Sequence, residues 1–218
     1  DHEKAVDYIE RSLKIKEELG NKGGMAYNLT NIGQVYKNQG DYEKSMDYYE
    51  RSLKIYEERG NKSWIGEILR YIGDVHQIKG DIDTALDYFK RSLKIKEELG
   101  DKYAIGYNLI DIGLTYKDRG DLDTALDYFK RALVIAEEIG DKHGMGYSLA
   151  NIGSVHFEKG NYKKVENYLE KSLAKDKEFG FGADGLIWST TYLYLAYKHL
   201  GKDYDVTEIH SLIKETEN

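Results

Sequence analysis

The chain repeats itself every forty residues. The stretch GDLDTALDYFKRALVIAEEIGDKHGMGYSLANIGSVHFEKG, which begins at Gly120-Asp121, aligns with itself at Gly80-Asp81 and at Gly40-Asp41, and a worn copy begins at Gly160-Asn161. A unit of that length cannot bury its apolar face alone, so stacked neighbours must bury it between them. The expected core is therefore a long seam. A charged content of 33% and a mean hydropathy of -0.67 suit that arrangement, because each helix needs only one buried stripe.

Punctuation inside the repeat is regular. Gly20, Gly40, Gly60, Gly80, Gly100, Gly120, Gly140, Gly160 and Gly180 fall every twenty residues, and proline is absent. Each glycine suits the left-handed residue that closes a helix. The Asp or Asn that follows suits the N-cap of the next one: Asp41, Asp81, Asp121 and Asn161 open one kind of helix, and Asn21, Asn61, Asp101 and Asp141 the other. Such short links force antiparallel neighbours. The spacing predicts helices A over 23–39, 63–79, 103–119 and 143–159, with Leu29, Ile32, Val35 and Tyr36 as the apolar points of the first. It predicts helices B over 42–59, 82–99, 122–139 and 162–179, with Leu86, Phe89, Leu93 and Ile95 on the buried stripe of the second. Gly33, Gly73, Gly113 and Gly153 sit mid-helix at one phase, where glycine costs about 1 kcal/mol against alanine. Close approach of the paired helix B at Ser45, Ala85, Ala125 and Val165 is the expected reason.

Leu109, Ile112, Gly113, Tyr116, Ala125, Phe129 and Ala132 together resemble the tetratricopeptide repeat. With Asn31-Ile32-Gly33-Gln34 and its copies, the chain is similar to the forty-residue, long-helix subtype of kinesin light chains, of the spindle adaptor named for Leu-Gly-Asn repeats, and of bacterial peptide-pheromone receptors. The resemblance implies an all-α, right-handed superhelical solenoid of antiparallel helix pairs. One such solenoid is expected over 1–218, with a half repeat (helix B) at 1–20, full repeats at 21–60, 61–100, 101–140 and 141–180, and an atypical repeat or cap at 181–218. The chain starts at Asp1, inside a repeat, and reads as a piece of a longer protein. Its first helix exposes Val6, Ile9 and Leu13, so end-to-end self-association through that helix is expected.

The resemblance also implies function. Helix A lines the concave wall of such a solenoid, and asparagines there grip an extended peptide. An amide side chain offers a donor and an acceptor, as a peptide group does. Asn31 and Asn151 match that position; Tyr71 and Asp111 do not. The wall residues expected to meet a partner are Tyr27, Asn31, Gln34, Arg70, Asp74, Tyr107, Ile110, Asp111, Leu114, Tyr147, Asn151 and Ser154. Ile110 and Leu114 are expected to form a solvent-facing apolar patch at the centre. For Tyr27, Tyr107 and Tyr147 the competing expectation is packing between neighbouring helices, since tyrosine buries its ring and keeps its hydroxyl wet. A family variant that clamps acidic C-terminal tails needs polar and basic groups where Thr30, Gln34 and Tyr71 stand, which counts against that ligand.

The excluded classes follow from composition. A net charge of -7 leaves no basic patch for nucleic acid. No apolar run reaches the roughly 18 residues of a membrane helix. Cysteine is absent, so disulfides and thiolate chemistry are out, and a reducing, cytoplasmic setting fits. Nucleophile-elbow, phosphate-loop and dinucleotide motifs are missing, as is any His-x-x-x-His pair, so neither an enzyme nor a metal site nor a cofactor is expected. The Glu-Glu pairs Glu57-Glu58 and Glu137-Glu138 read as solvated helix ends. The function expected is a non-enzymatic scaffold that binds a peptide or partner segment on its concave face. The alternative is a sensor segment of a larger signalling protein, coupling ligand binding or self-association to an output domain elsewhere.

Overall fold

The computed structural model describes residues 2–179, 183–203, 206–207, 211 and 214. Among these it holds ten helices and no strand: α1 (His2–Glu18), α2 (Lys22–Gln39), α3 (Tyr42–Glu58), α4 (Lys62–Ile78), α5 (Ile82–Leu99), α6 (Lys102–Asp118), α7 (Leu122–Ile139), α8 (Lys142–Glu158), α9 (Tyr162–Phe179) and α10 (Ala183–His199). The punctuation explains the boundaries. Gly40 closes α2 at φ 80° and Gly140 closes α7 at φ 69°, a backbone region that a side chain disfavours. Asn21, Asp41, Asn61, Asp81 and Asp121 each accept the backbone N–H three residues on, at 2.9–3.4 Å. Asp141 departs from this expectation. Its side chain makes no cap and instead takes a hydrogen bond from the Tyr107 hydroxyl. The segment expected at 204–216 lies largely outside the described residues.

The helices gather into two compact units, Asp1–Asp101 and Lys102–Asn218. In the first, α2 pairs with α3 and α4 with α5, α1 lies against α2, and α3 against α4. Its core holds Ala26, Tyr49, Tyr56, Ile68, Ile72 and Val75, with Leu13, Leu29 and Ile32 forming a second cluster. In the second, α6 pairs with α7 and α8 with α9, α7 lies against α8, and α10 closes on α9 over Val165, Leu169, Leu173, Leu193 and Ala196.

One interface recurs wherever an A helix meets its B helix. A Cβ on Gly33 would stand 2.7 Å from the Tyr49 ring, on Gly73 2.8 Å from Phe89, on Gly113 2.6 Å from Phe129, and on Gly153 2.4 Å from Leu169. The close approach is thus to the large residue one turn beyond Ser45, Ala85, Ala125 and Val165, a shift from the sequence expectation. Buried serines tie the helices further: Ser52 donates to the Ala26 carbonyl at 2.8 Å, Ser92 to Gly66 at 2.7 Å and Ser172 to Gly146 at 3.1 Å. Rings stack at the far end, Tyr36 on Tyr48, His76 on Tyr88, Tyr116 on Tyr128 and His156 on Tyr168, with centroids 5.4–5.6 Å apart. At the near end the first lysine of the A helix meets the last glutamate of the B helix: Lys22–Glu58 at 3.0 Å, Lys62–Glu98 at 2.7 Å and Lys102–Glu138 at 2.9 Å.

Candidate functional site

The site is built on the A helices, and each unit presents its own pair. In the first unit α2 and α4 are locked in register. Tyr27 meets Trp64 edge-on at 5.7 Å, and Lys37 donates to Asp74 at 3.2 Å. Arg70 continues the line, 3.0 Å from Glu67 and 3.9 Å from Asp74. Glu67 also holds Lys96 at 3.4 Å, a lysine only 4% exposed whose Nζ donates to the Ser63 carbonyl at 3.3 Å as well. Burial pushes the Glu67 carboxyl up, but Arg70 and Lys96 outweigh it and leave it below the usual carboxylate range. The Tyr71 ring lies beneath the Arg70 guanidinium at 4.9 Å and stacks on Tyr49 at 5.6 Å. Burial, and then the Glu67 charge, push the Tyr71 hydroxyl up to about 12. Tyr49 donates to Gln34 at 3.2 Å, and Gln34 donates to Asn38 at 3.2 Å. Asn31 alone of the expected polar residues on this face keeps its amide: it is half-buried and, among the described residues, makes no side-chain hydrogen bond.

The second unit's face, on α6 and α8, is built otherwise. Ile110 is 1% exposed. The expected solvent-facing patch is therefore corrected: Ile110 is core, and only Leu114 keeps partial exposure. The reason lies in the repeat. Residue 110 has the register of Thr30, whose hydroxyl is buried against Ser52 on the paired helix at 2.8 Å. Ala132 stands where Ser52 stands, is equally buried, and leaves an apolar slot that isoleucine fills. Asn151 is also turned inward. It is buried and donates to the Tyr147 carbonyl of its own helix at 2.8 Å. Ser154 is fully buried, and its hydroxyl has no hydrogen-bond partner. Tyr107 packs on Tyr103 at 4.9 Å, and its hydroxyl is pushed up by burial, by the hydrogen bond with Tyr103 and by the one it donates to the Asp141 carboxylate. Tyr147 is 49% exposed and lies close enough to Asp111 for that charge to add to the burial that raises its hydroxyl. Lys117 pairs with Glu158 at 3.0 Å.

The structure therefore joins Gln34, Arg70 and Asp74 in one network, seats Tyr27 beside Trp64 with 49% of its surface open, and leaves Asn31 unpaired. It draws Ile110, Asn151 and Ser154 into packing. Lys37 and Glu67 stand on the expected wall but are not among the residues expected to meet a partner, and Trp64 and Lys96 are not singled out by the sequence. Lys37 and Asp74 could have been, because opposite charges recur there at nearly the repeat spacing. Lys96 could not, since its ion pair is with Glu67, on the preceding helix and twenty-nine residues away in sequence.

With this geometry in hand, the comparisons with known proteins decide the family. The tetratricopeptide repeat pattern matches over residues 1–58, 24–98, 64–138 and 104–178. The chain belongs to the tetratricopeptide repeat family. No curated protein matches it in sequence. Among solved structures, BtubC (BKLC) from P. vanneervenii superposes with a TM-score of 0.82 at 17% identity, over 100% of this chain and 90% of that one. A Rap protein in complex with Competence and Sporulation Factor superposes at 0.79 and 19% identity, over 98% of this chain and 58% of the Rap protein, so the chain spans little more than half that length. A kinesin light chain-type protein of nearly identical TPR-like repeats from Podosopora anserina superposes at 0.67 and 11% identity, over 82% of this chain and 88% of that one. At these identities the likeness speaks for the fold. Tetratricopeptide proteins are generally non-catalytic scaffolds, and no enzymatic family matches. Among the described residues no helix is long and apolar enough to cross a membrane, and no group of three or more His, Asp or Glu is placed for a metal.

Proposed function

We propose that this tetratricopeptide array is a non-enzymatic binding module that takes up an extended partner segment on the α2–α4 face, with Asn31 holding the segment's backbone. The observation that carries the reading is the contrast around Asn31. Lys37, Glu67, Arg70, Asp74 and Lys96 are engaged with one another, and Gln34 with Tyr49 and Asn38, while the Asn31 amide on the same face is half-buried and has no partner among the described residues. An amide in that state offers one donor and one acceptor to a peptide group. The engaged network keeps the face rigid, so a ligand need not order it. Its charges are mixed in sign, which favours neither an acidic nor a basic segment. That the fold accommodates a bound factor is supported by the Rap protein, solved in complex with Competence and Sporulation Factor.

The test starts with a displayed peptide library selected on the whole chain. Asn31→Ala should weaken the selected peptides at least about tenfold, or roughly 1.4 kcal/mol. Asn151→Ala should leave them unchanged, because that amide already bonds the Tyr147 carbonyl. Equal sensitivity to both substitutions, or to neither, overturns the reading.

A further inference from the structure

One arginine of the first unit stands apart from the rest. Arg11, Arg51, Arg70, Arg91 and Arg131 each meet a carboxylate of their own helix within 4.0 Å. The Arg59 guanidinium is exposed and makes no hydrogen bond or ion pair among the described residues. Leu19, Leu99, Ile139 and Phe179 occupy its register in the other B helices, so the cation is particular to α3. Its surroundings are particular as well. It reaches over the first turn of α2, where a Cβ on Gly23 would stand 3.6 Å from its Nη2. That distance is ordinary contact, so packing does not demand a glycine there. Ser63, Tyr103 and His143 fill the same register in the other A helices, and the missing side chain leaves the guanidinium open beside the wall. Tyr27 follows four residues on, half-exposed and edge-on to Trp64, whose ring stacks on Tyr56 at 5.3 Å. The Arg59 charge and the Tyr27 hydroxyl both act on the Tyr56 hydroxyl, which burial first of all pushes up, so the cation adjoins this aromatic corner. Asn31 comes four residues later again, and positions 23, 27 and 31 make one stripe along α2.

We propose, resting on the Asn31 grip above, that the gripped segment carries an acidic side chain for Arg59 and, between the two, an apolar side chain for the Tyr27–Trp64 corner. Spacing sets the pattern. Four residues of helix rise about 6 Å, and an extended chain advances about 3.3 Å per residue. The apolar side chain therefore stands about two residues from the peptide group at Asn31, and the acidic one about four. Side chains two apart on an extended chain share a face, so both can point at α2. The acid follows from charge. Lys37, Arg70 and Lys96 on this face are already held by Asp74 and Glu67, and Lys22 and Lys62 at the same end by Glu58 and Glu98. That network has no preference of sign, and Arg59 lies outside it, unanswered. A guanidinium matches a carboxylate with two parallel N–H donors. The α6–α7 pair of the second unit offers no such place: Tyr103 fills the register of Gly23 and packs on Tyr107, and Ile139 replaces the arginine.

The probe is a displayed library of random peptides about ten residues long, selected in parallel on the whole native chain and on Arg59→Glu. The native chain should enrich Asp or Glu at one position, about two residues from an apolar one. Arg59→Glu should enrich Lys or Arg at that same position. Arg59 is exposed and unpaired, so the melting temperature should hold. The best native peptide, labelled and titrated, should bind Arg59→Leu about threefold to fivefold more weakly, because an exposed ion pair is a modest one. With its acidic residue changed to Gln, the peptide should bind both chains alike. Gly23→Tyr, which copies Tyr103, should weaken the acidic peptide too, and Tyr27→Ala should erase the apolar preference. A native pool without an acidic position, or one unchanged by Arg59→Glu, overturns the proposal even where Asn31→Ala abolishes binding. A pool that keeps its acidic position, with peptides that bind Asn31→Ala undiminished, overturns the backbone grip and leaves the Arg59 contact standing. A library that yields no binder on the native chain overturns both.

Discussion

An ion pair joins the A helices in both units, but in the first it belongs to a wider charged network and in the second it stands beside a face drawn into packing. Lys37 reaches across from α2 to Asp74 on α4, and Arg70, Glu67 and Lys96 extend the line. The residue standing at the same distance from Lys117 is Ser154, which cannot answer a charge, so Lys117 turns to Glu158 instead. Where the first unit buries the Thr30–Ser52 hydroxyl pair, the second buries Ile110 and Ala132. One backbone pattern thus tolerates a polar or an apolar filling at the same depth. A position on the helix-A wall is therefore not exposed by virtue of its phase. Its depth is set by the residue opposite.

The largest effect should come from breaking the apolar filling. Ile110→Thr removes buried hydrocarbon and leaves a hydroxyl facing Ala132, which should cost about 2–4 kcal/mol in urea unfolding. Adding Ala132→Ser supplies the partner that Thr30 has in Ser52, and the double variant should recover part of the loss. A double variant no better than Ile110→Thr alone would mean that the two fillings are not interchangeable.

Two glycines of α6 give a sharper test of close approach. A Cβ at Gly113 would lie 2.6 Å from Phe129, while at Gly106 it would meet only Ile135, at 3.7 Å. Gly113→Ala should therefore destabilise by about 1–2 kcal/mol net, overpacking exceeding the gain in helix propensity. Gly106→Ala lacks the clash and should stabilise by up to about 1 kcal/mol. Parallel denaturation of the two variants compares them within one helix, and the same sign for both would refute the packing account of the glycine register.

The two histidines of the stacked rings differ in the same way as the faces. His76 has Asp81 at 3.2 Å, whereas His156 is buried, its Nδ1 has no partner, and Lys164, Lys130 and Lys159 surround it. Burial first, and then those lysines, depress the His156 pKa. The folded state favours the neutral ring, and the unfolded chain takes up the proton first as the pH falls. Stability of the second unit should therefore be full above about pH 6.5 and decline below it. His156→Tyr, which copies Tyr36 and Tyr116, should flatten that decline. A profile unchanged by the substitution would assign the acid sensitivity to other groups.

Helix boundaries were legible to within one residue because glycine and the capping Asp or Asn act locally. The family was legible because Leu109, Ile112, Gly113 and Tyr116 recur in phase. The face was less so. Residues 110 and 111 lie only about 100° apart around a helix, and burial of one over the other depends on Ala132, twenty-two residues beyond Ile110 in sequence. Asn151 shows a second limit. Its register matches Asn31, but its amide turns back to the Tyr147 carbonyl. No residue type announces that choice, since an amide bonds its own helix or a ligand with the same groups.

The smallest effect tests the charged side of the comparison. Lys37 and Asp74 keep only 16% and 20% of their side chains exposed, against 20% and 40% for Lys117 and Glu158. Partial burial lowers screening, so the first pair should couple more strongly. A double-mutant cycle with Lys37→Met and Asp74→Asn should give about 1 kcal/mol, and one with Lys117→Met and Glu158→Gln nearer about 0.5 kcal/mol. Arg70 stays 3.9 Å from Asp74 after Lys37 is removed, which should soften the single variant and makes the cycle the cleaner measurement. In 1 M salt the screening length falls to about 3 Å, and the more exposed Lys117 pair should lose more of its coupling than the Lys37 pair. If both pairs couple equally and fade equally with salt, the first unit's face is not held by charge in any sense that the second is not.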